Sequence, residues 1–306
     1  MEKTAAGRTL VFIVGPTGSG KTDLSIAVAR HFGAPIISAD SRQFYKGMAI
    51  GTAQPTAEQL AAAEHHFIAT HDITEHYSCG RYEADALELL ERLFGRHPVV
   101  VAVGGSGLYA DALCHGMDSL PDADPGLRSE LVRRMEEKGL DDLLTELRER
   151  DPEYYSKVDR SNPRRVMRAL EVCLQTGRPY SELRKGGEQE RGFRIIRIGT
   201  QLPREALYDR INRRVDAMME AGLEQEARAL YPRRELNSLQ TVGYREMFEW
   251  FDGTTTREEA VELIKRNSRR YAKRQTTWFG RDQNIVWFDP ADTDGIIKFI
   301  EEQLIQ

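Results

Sequence analysis

The residues best suited to chemistry lie near the N-terminus. Gly15-Pro16-Thr17-Gly18-Ser19-Gly20-Lys21-Thr22 fits in full the spacing of glycine, four variable residues, glycine, lysine, then serine or threonine. Its glycines let backbone N–H groups close on phosphate oxygens, a following helix adds partial positive charge from its N-terminus, and Lys21 supplies a point charge. The Thr22 hydroxyl is the expected ligand for Mg2+, the one cofactor this spacing implies. A nucleotide hydrolase would also place a carboxylate at the end of a later apolar strand to hold metal and water. Here Val99–Val103 runs into Gly104-Gly105-Ser106-Gly107, and no NKxD-type guanine reader is present. The loop is therefore expected to grip a diphosphate without a hydrolytic group beside it. A small-molecule kinase stays open.

A second chemical pattern is cationic. Arg266, Arg269, Arg270, Lys273 and Arg274 follow one another at spacings of three, one, three and one. On a helix this confines them to an arc of roughly 140°. Tyr271, Trp278 and Phe279 are interleaved, the mixture expected where a protein tracks a phosphate backbone and stacks bases. The alternative is a solvated helix face, with Trp278 and Phe279 in a core. Arg164 and Arg168 share another face at i, i+4, with Arg165 beside them. Arg210 and Arg214 share a third, opposite an apolar stripe of Leu207, Ile211, Val215 and Met218. There too a plain solvated face is the competing reading.

Apolar runs must position these groups. Thr9–Val14, Pro35–Ala39, Pro98–Val103, Phe193–Gly199 and Asn284–Phe288 are short and show no alternation, as in a parallel sheet covered on both faces by helices. The polar residues after the second and third runs, at 40 and 104–107, would line the edge where open α/β sheets bind ligands. Two helical excursions interrupt the strands. One, about 121–192, carries charged helices near Leu127–Lys138 and Asp141–Arg150, then a helix opened by Asn162-Pro163 and running through Leu174. The other, about 204–281, closes with a helix over Arg257–Phe279. The expected division is a core of 1–120 and 193–306, containing the second excursion, and an inserted helical part of 121–192.

The remaining composition narrows the class. With 43 Lys+Arg against 48 Asp+Glu the net charge is −5, so the chain is no globally basic nucleic-acid binder and any RNA contact must come from local patches. Cys79, Cys114 and Cys173 are scattered, without spacing for a zinc site or a disulfide framework. No apolar run is long enough for a membrane span, and the N-terminus enters a strand without a cleavable signal. No membrane partner and a cytoplasmic location are expected.

Several runs then resemble one family. Asp40-Ser41-Arg42-Gln43, Tyr45, Gly47-Met48-Ala49-Ile50-Gly51-Thr52-Ala53 and Gly104-Gly105-Ser106-Gly107-Leu108-Tyr109 are similar to the tRNA dimethylallyltransferases. So are Asn162-Pro163-Arg164-Arg165, Arg168-Ala169-Leu170-Glu171-Val172, Val242-Gly243-Tyr244-Arg245-Glu246 and Tyr271-Ala272-Lys273-Arg274-Gln275-Thr276-Thr277-Trp278. The likeness covers nearly the whole chain in the family's order. Ser106 stands where the family usually has Thr, and Gly18 where it commonly has Ala; a hydroxyl and phosphate binding are kept. The chain ends at Gln306 without the zinc finger of eukaryotic relatives, which resembles the bacterial form.

The resemblance implies a P-loop, nucleotide-kinase-like α/β core with a parallel sheet flanked by helices, plus helical insertions that clasp an anticodon arm. It implies transfer of a dimethylallyl group from dimethylallyl diphosphate to N6 of an adenosine beside the tRNA anticodon, with release of diphosphate. In that reaction Asp40 is the candidate base for the N6 proton, and its alternatives are a Mg2+ ligand or a turn cap. Lys21 and Thr17 are the catalytic partners of the leaving group. The glycine loop from Gly15 to Thr22 holds the diphosphate, with Arg210 or Arg214 reaching over it; Leu207-Tyr208-Asp209-Arg210-Ile211 meets the family's pattern there. Contacts to the tRNA anticodon stem-loop are implied for Asp40, Ser41, Arg42, Gln43, Ser106 and Arg128. They are implied likewise for Arg164, Arg165, Val166, Met167, Arg168, Gln240, Thr241, Val242, Gly243, Tyr244 and Arg245. The last group is Lys273, Arg274, Gln275, Thr276, Thr277, Trp278, Phe279 and Gly280. Gln43 has the amide donor and acceptor needed to read a base edge. A monomer is expected. A nucleotide kinase, an RNA-binding switch and a prenyltransferase of free adenine nucleotides are the rivals.

Overall fold

The computed structural model describes residues 7–187 and 189–305. Residues 1–6, part of the stretch read for a signal, lie outside them. Contacts divide the chain into two compact units, Met1–Cys114 with Arg191–Gln306, and His115–Glu190.

In the larger unit six strands form one parallel sheet: β1 (Thr9–Val14), β2 (Ile36–Ser38), β3 (His65–His66), β4 (Val99–Gly104), β5 (Arg194–Thr200) and β6 (Ile285–Phe288), in the order β3-β2-β4-β1-β5-β6. Strand β1 lies between β4 and β5, with Val14 level with Gly104 and Gly199. The strand ends that carry the glycine loop, Asp40 and the 104–107 turn therefore fall on one edge. β3 escapes sequence reading because it is two histidines with no apolar run.

The strands are buried on both faces, which is why their sequences do not alternate. Leu10, Phe12 and Val14 pack with Ile37, Val100 and Ala102 on one side; Val11 and Ile13 pack with Ile36, Val99 and Val101 on the other. The second face is covered by α1 (Lys21–Phe32) through Leu24 and Val28, and by the C-terminal helix Thr293–Ile305 through Ile296 and Ile300. Short α2 (Ala57–Ala62) follows the second strand. The first face carries α3 (Cys79–Phe94) and α4 (Gly107–His115).

The smaller unit is helical: α5 (Pro125–Lys138), α6 (Leu140–Arg150), α7 (Pro152–Lys157), α8 (Pro163–Thr176) and α9 (Tyr180–Leu183). They close on Leu131, Leu143, Leu147, Val166, Met167, Leu170 and Cys173. Asn162 caps α8 by accepting from the Arg165 N–H, with Pro163 in its first turn. Back in the larger unit follow α10 (Arg204–Glu220), α11 (Leu223–Leu230), α12 (Tyr244–Phe251) and α13 (Arg257–Phe279). Thr256 and Glu259 form a reciprocal cap that fixes where α13 starts. The cysteines are all free thiols. Among the described residues no helix is long and apolar enough to cross a membrane.

Candidate active site

The glycine loop joins β1 to α1 in a conformation that only glycine adopts easily: φ is +147° at Gly15, +81° at Gly18 and +90° at Gly20. A Cβ on Gly15 would lie 2.4 Å from Thr200 Oγ1. That hydroxyl pairs with buried Ser19 Oγ at 2.7 Å, pinning the loop to the end of β5. The methyl missing at Gly18 has a counterpart in α10, because a Cβ there would meet Ile211 Cγ1 at 2.9 Å.

Helix α10 brings the arginines. Its apolar stripe, Leu207, Ile211 and Val215, is buried, and Arg214 Nη1 donates to Thr17 Oγ1 at 3.0 Å. The Arg210 guanidinium lies against Gly20 at the loop's outer side and is exposed. Both arginines therefore border the loop, and Arg214 is the one drawn into it. Lys21 Nζ donates to the Pro16 carbonyl at 2.7 Å. Burial holds the Lys21 ammonium down to about 7; the Arg214 cation pushes the same way and Asp40 partly offsets both. Burial lowers Arg214 as well, again opposed by Asp40. Two cations thus face one carboxylate, a deficit of negative charge that favours a bound polyanion.

Asp40 follows β2. Its Oδ1 accepts from the Arg42 N–H at 2.9 Å and from the Gln43 N–H at 3.4 Å, so the carboxylate does cap its turn. Oδ2 has no hydrogen-bond partner among the described residues. Beside it Ser106 Oγ accepts from the Ser41 N–H at 3.0 Å and donates to Ser41 Oγ at 3.1 Å, joining the turn after β2 to the turn after β4. Tyr271 of α13 borders the same cluster. Burial, and then the Asp40 charge, push its phenol up to about 12, so it stays protonated.

Gln275, expected at the RNA, is instead buried and bound to the glycine loop. Its Oε1 accepts from the Thr17 N–H and its Nε2 donates to the Gly105 carbonyl, both at 2.8 Å. Half-buried Gln43 is likewise engaged within the protein: its Oε1 accepts from Ser38 and its Nε2 donates to the Ala53 and Thr52 carbonyls. Arg42 Nη1 is held by the Asn237 and Ser238 carbonyls. Tyr244 sits in the core under Gly51, where its hydroxyl and the N–H groups of Ile50 and Gly51 share the carboxylate of Glu226. Phe279, Val166 and Met167 are core side chains too, and Gly243 donates its N–H to Glu246. In this structure these side chains are engaged by hydrophobic burial or by hydrogen bonds inside the protein.

The other expected contacts stay nearer the surface. Arg164, Arg165, Arg245, Lys273, Arg274, Thr276, Thr277 and Gly280 are exposed; Thr241 and Val242 are half-buried. Gln240 is exposed and donates to the Arg234 carbonyl. Trp278 is half-buried over Gly107 and donates to Asp111 Oδ2 at 3.1 Å. Within the stripe Arg266, Arg270, Lys273 and Arg274 are exposed, whereas Arg269 turns to Asn212 of α10. In the smaller unit Arg128 and Arg168 both reach Glu171.

The residues fit Mg2+ in a specific way. Among the described residues no trio of His, Cys, Asp or Glu could hold a cation alone. The Thr22 hydroxyl, on the first turn of α1, has no partner among those residues. One open hydroxyl suits an ion that keeps most of its waters and is otherwise held by phosphate oxygens.

Comparison with known proteins gives one consistent result. Residues 43–282 match the family model of the IPP transferases. The chain is 53% identical over 292 residues to tRNA dimethylallyltransferase 1 of Phocaeicola vulgatus, covering 95% of this chain and 97% of that one. Among solved structures, the full-length tRNA isopentenylpyrophosphate transferase of Bacillus halodurans superposes with a TM-score of 0.72 at 40% identity, over 97% of both chains. A eukaryotic dimethylallyltransferase acting on tRNA gives a TM-score of 0.76 at 27% identity, over 94% of this chain and 75% of that one.

Proposed function

The chain belongs to the IPP transferase family, and on that footing we propose that it moves a dimethylallyl group from dimethylallyl diphosphate to N6 of an adenosine adjacent to the anticodon in tRNA, releasing diphosphate. The observation that carries this reading is the juxtaposition at one sheet edge of an acceptor-ready carboxylate oxygen, Asp40 Oδ2, with the cation pair Lys21 and Arg214.

The N6 lone pair of adenine is delocalised into the ring, so the amine is a weak nucleophile. As it bonds to C1 of the prenyl group, the C1–O bond breaks and its electron pair goes to the diphosphate oxygen. Asp40 Oδ2 accepts the N6 proton as that bond forms, help worth roughly 10²–10⁴ in rate. Oδ1, held by two N–H groups, keeps the carboxylate oriented. Lys21, Thr17 Oγ1 and Arg214 meet the negative charge that develops on the leaving oxygen. Gln275 fixes the Thr17 peptide in place. Bound through the Thr22 hydroxyl, Mg2+ would further neutralise the diphosphate.

The adenosine must leave its stack, which costs a few kcal/mol. The exposed Arg266, Arg270, Lys273 and Arg274 of α13 are the proposed anchors for the phosphate backbone that supply this. A cytoplasmic monomer acting on the anticodon stem-loop is the corresponding working form. The deciding experiment incubates the chain with Mg2+, labelled dimethylallyl diphosphate and bulk unmodified tRNA, with ATP and AMP as control substrates. Label on tRNA is expected. Label on AMP alone, or phosphoryl transfer from ATP, would overturn the proposal.

A further inference from the structure

The helical unit His115–Glu190 contains a charge with an unusual setting. Glu171 of α8 belongs to a helix whose neighbours Val166, Leu170 and Cys173 form the unit's core, and it is 0% exposed. Its Oε2 accepts from Arg168 Nη1 at 3.0 Å and from Arg128 Nη1, on α5, at 3.4 Å. Its Oε1 is buried with no partner. Arg168 is further fixed by Nη2 donating to the Pro121 carbonyl at 2.6 Å.

Burying a carboxylate is expensive, and an apolar side chain of similar volume often serves stability as well or better. Packing alone therefore does not account for Glu171. What the carboxylate does is bring two guanidinium groups from two helices to one oxygen. Both arginine side chains remain about one third exposed, at 35% and 31%. Two cations against one anion leave a net positive charge, and Arg128 Nε and Nη2 and Arg168 Nε have no partners among the described residues. The planar fork fixes where those donors point once one nitrogen is held.

We propose that Glu171 is a positioning residue that holds Arg128 and Arg168 as a preorganised pair for an RNA phosphate. A free arginine loses rotamer freedom when it engages a phosphate; a pair already anchored on a buried carboxylate loses less. The proposal rests on the tRNA reading of the chain and adds to it the side chain that organises two of its cations.

The test compares wild type, Glu171→Gln, Arg128→Gln and the double variant as full chains. It reads the dissociation constant for an anticodon stem-loop RNA together with transfer kinetics. Glu171→Gln should raise the RNA dissociation constant and the KM for RNA about ten-fold, with kcat and the KM for dimethylallyl diphosphate unchanged. The salt dependence of RNA binding should flatten by about one phosphate contact. Because both residues act as one unit, the double variant should bind no worse than the weaker single variant. Glu171→Met, which removes the charge while filling the space, should give the same RNA defect if the amide variant folds poorly. RNA affinity unchanged in Glu171→Gln and Glu171→Met, or effects that add fully in the double variant, would overturn the proposal. Wild-type chain that binds RNA but transfers no label would instead sink the transferase reading and leave the binding cycle decisive for Glu171. Failure of wild type to bind RNA would sink both.

Discussion

Lys21 offers a perturbation whose size follows from its surroundings. In the free protein burial and Arg214 hold its ammonium near a pKa of about 7. A diphosphate placed on the loop reverses that balance, and the bound lysine returns toward its ordinary value of about 10.5. Binding must then take up a proton wherever the free lysine is neutral. Affinity falls with pH as one plus ten to the power of pH minus 7, which is about 50-fold, or about 2.3 kcal/mol, between pH 7 and pH 9. Near pH 8 about 0.9 proton should enter with each ligand. Folding has the opposite sign. The unfolded chain holds the Lys21 proton up to about pH 10.5 while the fold releases it near 7, so ligand-free stability contributed by this group rises with pH across that window. Calorimetric titration of dimethylallyl diphosphate at pH 7, 8 and 9, each in two buffers of different ionisation enthalpy, measures affinity and proton uptake together. Lys21→Arg is the control, since its side chain stays charged and the ligand's own ionisation is common to both proteins. A wild-type pH dependence no steeper than that of Lys21→Arg, or no proton uptake near pH 8, would refute the reasoning.

Three further outcomes follow from the same geometry. Asp40→Asn should keep tRNA affinity and lose about 10²–10⁴ in single-turnover transfer, since the amide cannot accept the N6 proton; unchanged turnover would remove the base from the mechanism. Gln275→Leu should leave the Thr17 N–H and the Gly105 carbonyl without partners, at about 1–3 kcal/mol each. Thermal melting should show the loss, and the KM for dimethylallyl diphosphate should rise while RNA affinity is kept; a defect confined to RNA would return Gln275 to the RNA interface. Reversing charge at Arg270, Lys273 and Arg274, which are exposed, should abolish most tRNA binding in filter assays without changing diphosphate affinity. Equal tRNA binding by this variant would show that the stripe is only a solvated face.

Sequence was most informative where physics is local. The five apolar runs, the α8 cap at Asn162-Pro163 and the full span of α13 are set by residues within a turn of each other, and they stand where the pattern puts them. The glycine spacing and the position of Asp40 after an apolar run were legible for the same reason. Long-range pairing was not. Gln275 and Tyr271 lie in a helix whose composition is that of an RNA-binding stripe, yet each turns inward to a turn more than 150 residues away in sequence. Gln43 has the right amide for a base edge, but Ser38 and the carbonyls of Thr52 and Ala53 occupy it. Within the Gly-Tyr-Arg-Glu run at 243–246, Tyr244 is scaffolding, since with Glu226 it holds the Ile50-Gly51 backbone, whereas Arg245 stays exposed.

Helix α13 carries its cations on the outside and, through Gln275, holds the Thr17 N–H on the inside; α10 carries Arg214 to the hydroxyl of the same threonine. Thr17 is thus fixed from two helices at once, one contact to its backbone and one to its side chain. A glycine-rich loop has little rigidity of its own, because each glycine in it gives up more backbone freedom on ordering than any other residue. Its catalytic geometry must come from outside the eight-residue run. Substitutions that loosen α10 or α13 at their apolar seam, Leu207, Ile211 and Ala272, should therefore weaken leaving-group stabilisation even though none of the three touches the reacting atoms.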